Sequence, residues 1–114
     1  MIKILKKISG IFHSEKELQD AIEAALEKNM IAFRREPILT KHDRPDFFEI
    51  TTGTVIEVKI KGSASDVALQ VLRYASHPDV KEIIIVTTKF QHLAKLPRMV
   101  GKKPVSVVVI HGGL

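Results

Sequence analysis

The chain has 114 residues, enough for one domain around a single core and too few for two. It has no cysteine, which excludes disulfides, thiolate zinc sites and cysteine nucleophiles and fits a cytoplasmic protein. No apolar run approaches the roughly 18 residues that a membrane-spanning helix needs. A formal charge of +5 and a pI of 9.6 favour a polyanionic partner such as nucleic acid. Aromatic content of 5 %, with no aromatic-basic platform, points to phosphate-backbone contact rather than base reading.

Residues 2–12 set Ile2, Ile4, Leu5, Ile8, Ile11 and Phe12 against Lys3, Lys6 and Lys7 at spacings of three and four. That predicts a short amphipathic helix whose basic face is solvated or touches phosphate, with a membrane-surface helix as a third reading. Lysines run through its apolar part and no small-residue cleavage site follows, so it does not read as a signal peptide. Ser14-Glu15-Lys16-Glu17 is a capping-box pattern, with Ser14 as N-cap and Glu17 reaching back. Leu18, Ala21, Ile22, Ala25 and Leu26 then recur at helical spacing, and the helix should fade near Asn29. Met30 to Leu39, carrying Ile31, Phe33 and Ile38, predicts a strand that Pro37 ends or pushes to an edge. One of the adjacent Arg34 and Arg35 must point outward, to phosphate or to solvent. Thr40 to Asp43 is a polar connection, with His42 a loop residue.

Arg44 to Lys59 predicts two short strands joined by a tight turn at Thr52-Gly53. With a two-residue turn, Thr51 pairs with Thr54 and Asp46 falls opposite Lys59. A four-residue loop keeps that register, whereas a three-residue loop turns Asp46 to the opposite face. Glu57 and Lys59, two apart, leave a strand on one side, so Asp46, Glu57 and Lys59 gather on one face. The cluster reads in two ways. It is a cross-strand ion pair of Asp46 with Lys59, leaving Glu57 solvated, or it is a metal site. In the second case two carboxylates supply hard oxygen ligands for Mg²⁺, and the lysine orients water or offsets developing charge.

Further along, Ser63 or Ser65 caps a helix running through Val67, Leu69, Val71 and Leu72 to about Ser76, before Pro78. Gln70, Arg73 and Tyr74 share one face of it, a polar stripe bordering the core. Glu82 to Thr87 is a nearly continuous apolar run that suits a strand buried on both faces. Reaching it through a helix makes a β-α-β unit with parallel strands. Phe90 to Leu96 predicts a short helix ended by Pro97, with His92 at its surface. Arg98, Lys102 and Lys103 form a basic patch around Gly101, and Pro104 to Ile110 predicts a last strand. No P-loop, dinucleotide fingerprint, nucleophile elbow or HExxH is present.

Arg44-Pro45-Asp46 followed by Ile56-Glu57-Val58-Lys59 resembles the motif of the PD-(D/E)xK nuclease superfamily. Gln70-Val71-Leu72-Arg73-Tyr74, on the helix that follows, resembles the Gln-x-x-x-Tyr element of its RecB-type branch. The compact size is also similar to that of archaeal Holliday-junction resolvases, which work as dimers. The resemblance covers residues 14–88 and implies an α/β restriction-endonuclease-like core, a mixed central sheet flanked by helices in the order α-β-β-β-α-β. It implies Mg²⁺ or Mn²⁺ bound by Asp46, Glu57 and the Val58 carbonyl, with Lys59 as catalytic lysine. Gln70 would contact the active site or the DNA backbone, and Tyr74 would buttress it. A glutamate on the first core helix often completes such a site; Glu17 is the candidate, with Glu23 and Glu36 as rivals. Arg34, Arg35, Lys61 and Arg73 are the cations expected to meet the phosphate backbone. The expected activity is metal-dependent hydrolysis of DNA, in preference to RNA, at a junction, flap or single strand, with a second copy of the chain or a partner protein supplying the specificity that so short a chain has little room for. The alternatives are an inactive nucleic-acid-binding module on the same fold and a basic scaffold protein.

Overall fold

The structure is a computed structural model that describes residues 1–61, 63–89 and 96–111. Ser14 takes an extended backbone and its hydroxyl accepts the Glu17 N–H, which starts helix α2 over Glu15–Lys28. Glu17 reaches back one residue beyond the usual capping box, to the His13 N–H at 2.8 Å. Leu18, Ile22 and Leu26, one turn apart, are all fully buried, each stabilising the fold by roughly 1.5–3 kcal/mol relative to exposure. At the far end the Ile31 N–H donates to the Leu26 carbonyl and the Met30 N–H to the Glu27 carbonyl. This Schellman arrangement forces Met30 into the left-handed region, at φ 54°.

The first helix is shorter than its apolar spacing predicts. Helix α1 spans only Ile2–Lys6, and Gly10, at φ 134°, takes the backbone out of helical space. Ile2, Ile8 and Phe12 nevertheless all pack on the core, so the spacing reflects packing and not one continuous helix.

The strand predicted over Met30 to Leu39 is likewise reduced, to β1 at Phe33–Arg35. Met30 and Glu36, both at positive φ, bracket it, and Pro37 follows. The remaining elements are β2 (Phe47–Glu49), β3 (Thr54–Lys59), α3 (Ala64–Ala75), β4 (Glu82–Thr87), β5 (Met99–Val100) and β6 (Lys103–Val109). Of the two candidate caps for α3, Ser63 is the one used; its hydroxyl accepts the Asp66 N–H. The hairpin of β5 with β6, turned at Gly101 (φ 61°), was not anticipated from the sequence. The helix expected over 90–96, with His92, falls outside the described residues but for Leu96.

The sheet order is β1-β2-β3-β4-β6-β5. Strands β1, β2 and β3 are antiparallel, β3, β4 and β6 parallel, and β5 antiparallel to β6. Helices α1 and α2 cover one face over Phe47, Ile56, Val58, Ile84, Val86 and Val108. Helix α3 covers the other, over Val55, Ile83, Ile85 and Val105. The result is an α/β fold with a mixed central sheet between helical layers. No helix among the described residues is long and apolar enough to cross a membrane.

The β2–β3 hairpin differs from expectation in a way that matters for the site. Glu49 pairs with Thr54 and Phe47 with Ile56, so the connection has four residues but spans 50–53 instead of centring on Thr52-Gly53, and that displacement puts the register two residues off the predicted one. The cause is Glu49. Its buried carboxylate accepts the N–H groups of Thr51 (3.1 Å) and Thr52 (2.7 Å) and the Thr52 hydroxyl, winding the chain into a wider turn. Burial raises the Glu49 carboxyl, but the Thr52 and Thr51 donors outweigh it and hold the pKa below its ordinary value. Gly53 closes the turn at φ 70°, and a Cβ there would lie 2.6 Å from the Asp79 carbonyl oxygen. Because side chains alternate with period two, a slip of two preserves faces. Asp46 therefore falls beside Glu57, to which its N–H donates, and not beside Lys59.

Candidate active site at the carboxyl end of the central strand

Glu57 and Lys59 lie in the second half of β3, at the carboxyl end of the parallel strands, the end at which open α/β sheets place ligands. The Glu57 side chain projects toward α3 and is only 6 % exposed. Its Oε1 accepts the Asp46 N–H at 3.0 Å and the Tyr74 hydroxyl at 3.2 Å. Tyr74 in turn accepts from Gln70 Nε2 at 2.9 Å, one helical turn away on α3. Lys59 Nζ stands 3.4 Å from Glu57 Oε2. The lysine's ion-pair partner is thus the glutamate on its own strand; the Asp46–Lys59 cross-strand pair is not formed.

Asp46 sits just before β2, where the hairpin ladder ends. Its Oδ2 accepts the Val58 N–H at 2.7 Å, continuing the ladder with a side chain in place of a main-chain carbonyl. A strand residue's N–H and C=O leave on the same edge, so the Val58 carbonyl is directed to the Asp46 side as well. Asp46 is also reached from the opposite helical layer, where Gln19 Nε2 on α2 donates to Oδ1 at 2.9 Å.

The electrostatics follow from two acids sharing a nearly dry corner. Burial, and then the Asp46 charge, push the Glu57 carboxyl up to about 7, against the pull of Lys59, the Asp46 N–H and the Tyr74 hydroxyl. Asp46 is raised too, by burial first, with the Val58 N–H opposing it and Glu15 adding repulsion. Burial and the neighbouring Glu57 carry the Tyr74 phenol well above its ordinary value, so it stays a neutral donor at physiological pH. Two carboxylates raised together against one ammonium leave excess negative potential that a divalent cation would offset.

The remaining expected residues are distributed unevenly. Glu17 is exposed and engaged with the His13 N–H, on the side of α2 away from the acid pair. Glu23 holds Arg35, and Glu36 is exposed beyond β1. The α2 acid that does reach the site is Glu15, whose Oε1 accepts the Ile60 N–H at 3.3 Å. Its signal was available: Glu15 stands three residues before Leu18 and four before Gln19, on the buried stripe, whereas Glu17 does not. Arg34 and Lys61 are exposed. Arg73 is half exposed and donates to Asp43 at 2.9 Å. Arg35 does not face outward; its guanidinium is bound to Asp20, Glu23 and Gln19 of α2.

Among the described residues no group of three or more His, Asp or Glu side chains converges to hold a metal ion. The donor set is an acidic pair plus the Val58 carbonyl. That is compatible with Mg²⁺, which keeps several waters and needs only one or two carboxylates from the protein. Comparison of the chain with models of known families, with curated proteins and with solved structures gives no match in any of the three.

Proposed function

We propose that this protein is a metal-dependent nuclease of the PD-(D/E)xK type, with a restriction-endonuclease-like core, that hydrolyses phosphodiester bonds of DNA. One observation carries the reading. Asp46 and Glu57, eleven positions apart, lie side by side at a strand end, with Lys59 against one and a Gln70–Tyr74 pair behind it. A cross-strand ion pair needs none of the last two residues, and a solvated charge has no reason to be buried.

Asp46, Glu57 and the Val58 carbonyl would hold Mg²⁺ or Mn²⁺. When bound, such an ion polarises a phosphoryl oxygen and acidifies a water toward neutrality. The protein's own part is mostly positioning. The Asp46 N–H and Tyr74 hydroxyl fix the Glu57 carboxylate, and Gln70 fixes Tyr74. Lys59, still 24 % exposed at its side chain, has room to meet a scissile phosphate and its attacking water, where an ammonium offsets the charge that builds up. Arg34, Lys61 and Arg73, with the +5 net charge, supply sequence-independent attraction to the backbone.

The test incubates the protein with branched, flapped, single-stranded and duplex DNA, with and without Mg²⁺ or Mn²⁺, beside Glu57→Ala and Lys59→Ala. Cleavage should require the cation, vanish in the glutamate variant and fall by about 10²–10³-fold without the lysine. Equal cleavage by all three proteins refutes the mechanism. Binding of DNA without cation-dependent cleavage would leave the binding-module alternative.

A further inference from the structure

A connected polar cluster outside the acid pair lies behind Asp46, on the α2 side of the sheet. Arg35 leaves β1 there with its guanidinium over the Phe47 ring, 5.8 Å from the centroid. Its Nη1 donates to Asp20 Oδ1 and to Glu23 Oε2, both at 2.9 Å, and its Nη2 to Gln19 Oε1 at 3.3 Å. Two acids and an aromatic ring thus fix the guanidinium in place. A guanidinium can only donate, so the Gln19 atom facing it must be the oxygen. The amide NH₂ is thereby turned the other way, and that end donates to Asp46 Oδ1 at 2.9 Å.

From this geometry we infer that Gln19 and Arg35 are positioning residues for Asp46: Arg35 sets the orientation of the Gln19 amide, and Gln19 orients the carboxylate. With the Val58 N–H on Oδ2, the carboxylate is held at both oxygens and its plane cannot rotate. Each oxygen keeps a second acceptor direction, and those directions are fixed in space. The inference reassigns Arg35, expected from the sequence to contact DNA, to a structural task behind the site. Its second half, that a fixed Asp46 binds a cation better, rests on the reading proposed above; its first half does not.

Two measurements separate the halves. Mn²⁺ binding would be followed by calorimetry, and amide hydrogen exchange in the cation-free protein. The proteins are wild type, Gln19→Leu, Gln19→Met and Arg35→Met, with Asp46→Asn and Glu57→Gln as controls. Gln19→Met keeps the length of the side chain without its polar end, Gln19→Leu removes the polar end with one atom less of length, and either suffices if the other folds poorly. Expected is faster exchange at the Val58 amide with Ile84 unchanged, together with about 10-fold weaker Mn²⁺ binding, the usual loss when a ligand's orienting partner is removed. Unchanged Val58 exchange in a folded Gln19 variant overturns the positioning role, whatever the cation does. Wild-type Mn²⁺ binding by both Asp46→Asn and Glu57→Gln overturns the cation reading instead and leaves the orientation of Asp46 standing.

Discussion

Replacing Glu57 with glutamine removes one buried charge and keeps an oxygen to accept from Asp46 and Tyr74. In the folded protein the Glu57 carboxyl is raised to about 7 from an ordinary 4.5. The folded state therefore holds this proton more tightly than the unfolded chain does. Below pH 4.5 both states are protonated and the group costs nothing. Between 4.5 and 7 stability falls as pH rises, and above 7 the loss is complete. At 1.36 kcal/mol per pKa unit, the displacement corresponds to about 3 kcal/mol at pH 8. Glutamine does not ionise, so Glu57→Gln should gain about 3 kcal/mol over wild type between pH 4.5 and 8, roughly 12 °C in Tm for a chain of this size. Asp46, raised by the same environment, leaves the variant a smaller slope of its own. Urea denaturation of both proteins across that range, in chelator, reads the difference directly. Adding Mg²⁺ at about 100 times its dissociation constant should return about 2.7 kcal/mol to wild type and far less to the variant. Parallel stability–pH curves for the two proteins would refute the coupled-acid account, and an equal Mg²⁺ effect would refute the cation site.

Met30→Gly should stabilise the protein by about 0.5–1 kcal/mol in denaturant titration, because Met30 occupies the left-handed position of a helix C-terminus at 92 % exposure. Gly53→Ala should cost more than about 2 kcal/mol by the same assay, since its Cβ would meet the Asp79 carbonyl oxygen at 2.6 Å in a backbone already at positive φ. Tyr74→Phe takes a donor from the Glu57 carboxylate and should cost about 1–2 kcal/mol at pH 8 and less at pH 5, where Glu57 is protonated in both proteins. A loss from Tyr74→Phe that does not vary with pH would show that the phenol does not act on the charged carboxylate.

The candidate site divides into what pattern reveals and what packing decides. Alternation by two along β3 placed Glu57 and Lys59 on one face, and helical spacing placed Gln70 and Tyr74 together; both rest on local periods that neighbours in sequence determine. The hairpin register was different. It depends on the buried Glu49 capping its own turn, a side chain whose role appears only when it is seen to be dry and surrounded by Thr51, Thr52 and Thr54. The slip moved Asp46 from opposite Lys59 to beside Glu57, and its carboxylate took the Val58 N–H at the strand edge and Gln19 from α2.

By itself, then, the sequence determined the elements with strong periodicity: α2 with its cap, the β3–α3–β4 unit, and the Asp-Glu-Lys set with its Gln-x-x-x-Tyr companion. Tertiary structure alone decided where α1 stops, which strand pairs with which, and which α2 side chains meet the site. Glu15 and Gln19 reach it and Glu17 does not, because the phase of a helix against a sheet is set by the burial of Leu18, Ile22 and Leu26. Arg35 was legible only as a cation. Its commitment to Asp20, Glu23 and Gln19 arises because β1 folds back beside a helix whose partner residues lie 12 to 16 positions earlier, farther than a local period reaches, and proximity of that kind leaves no trace in spacing.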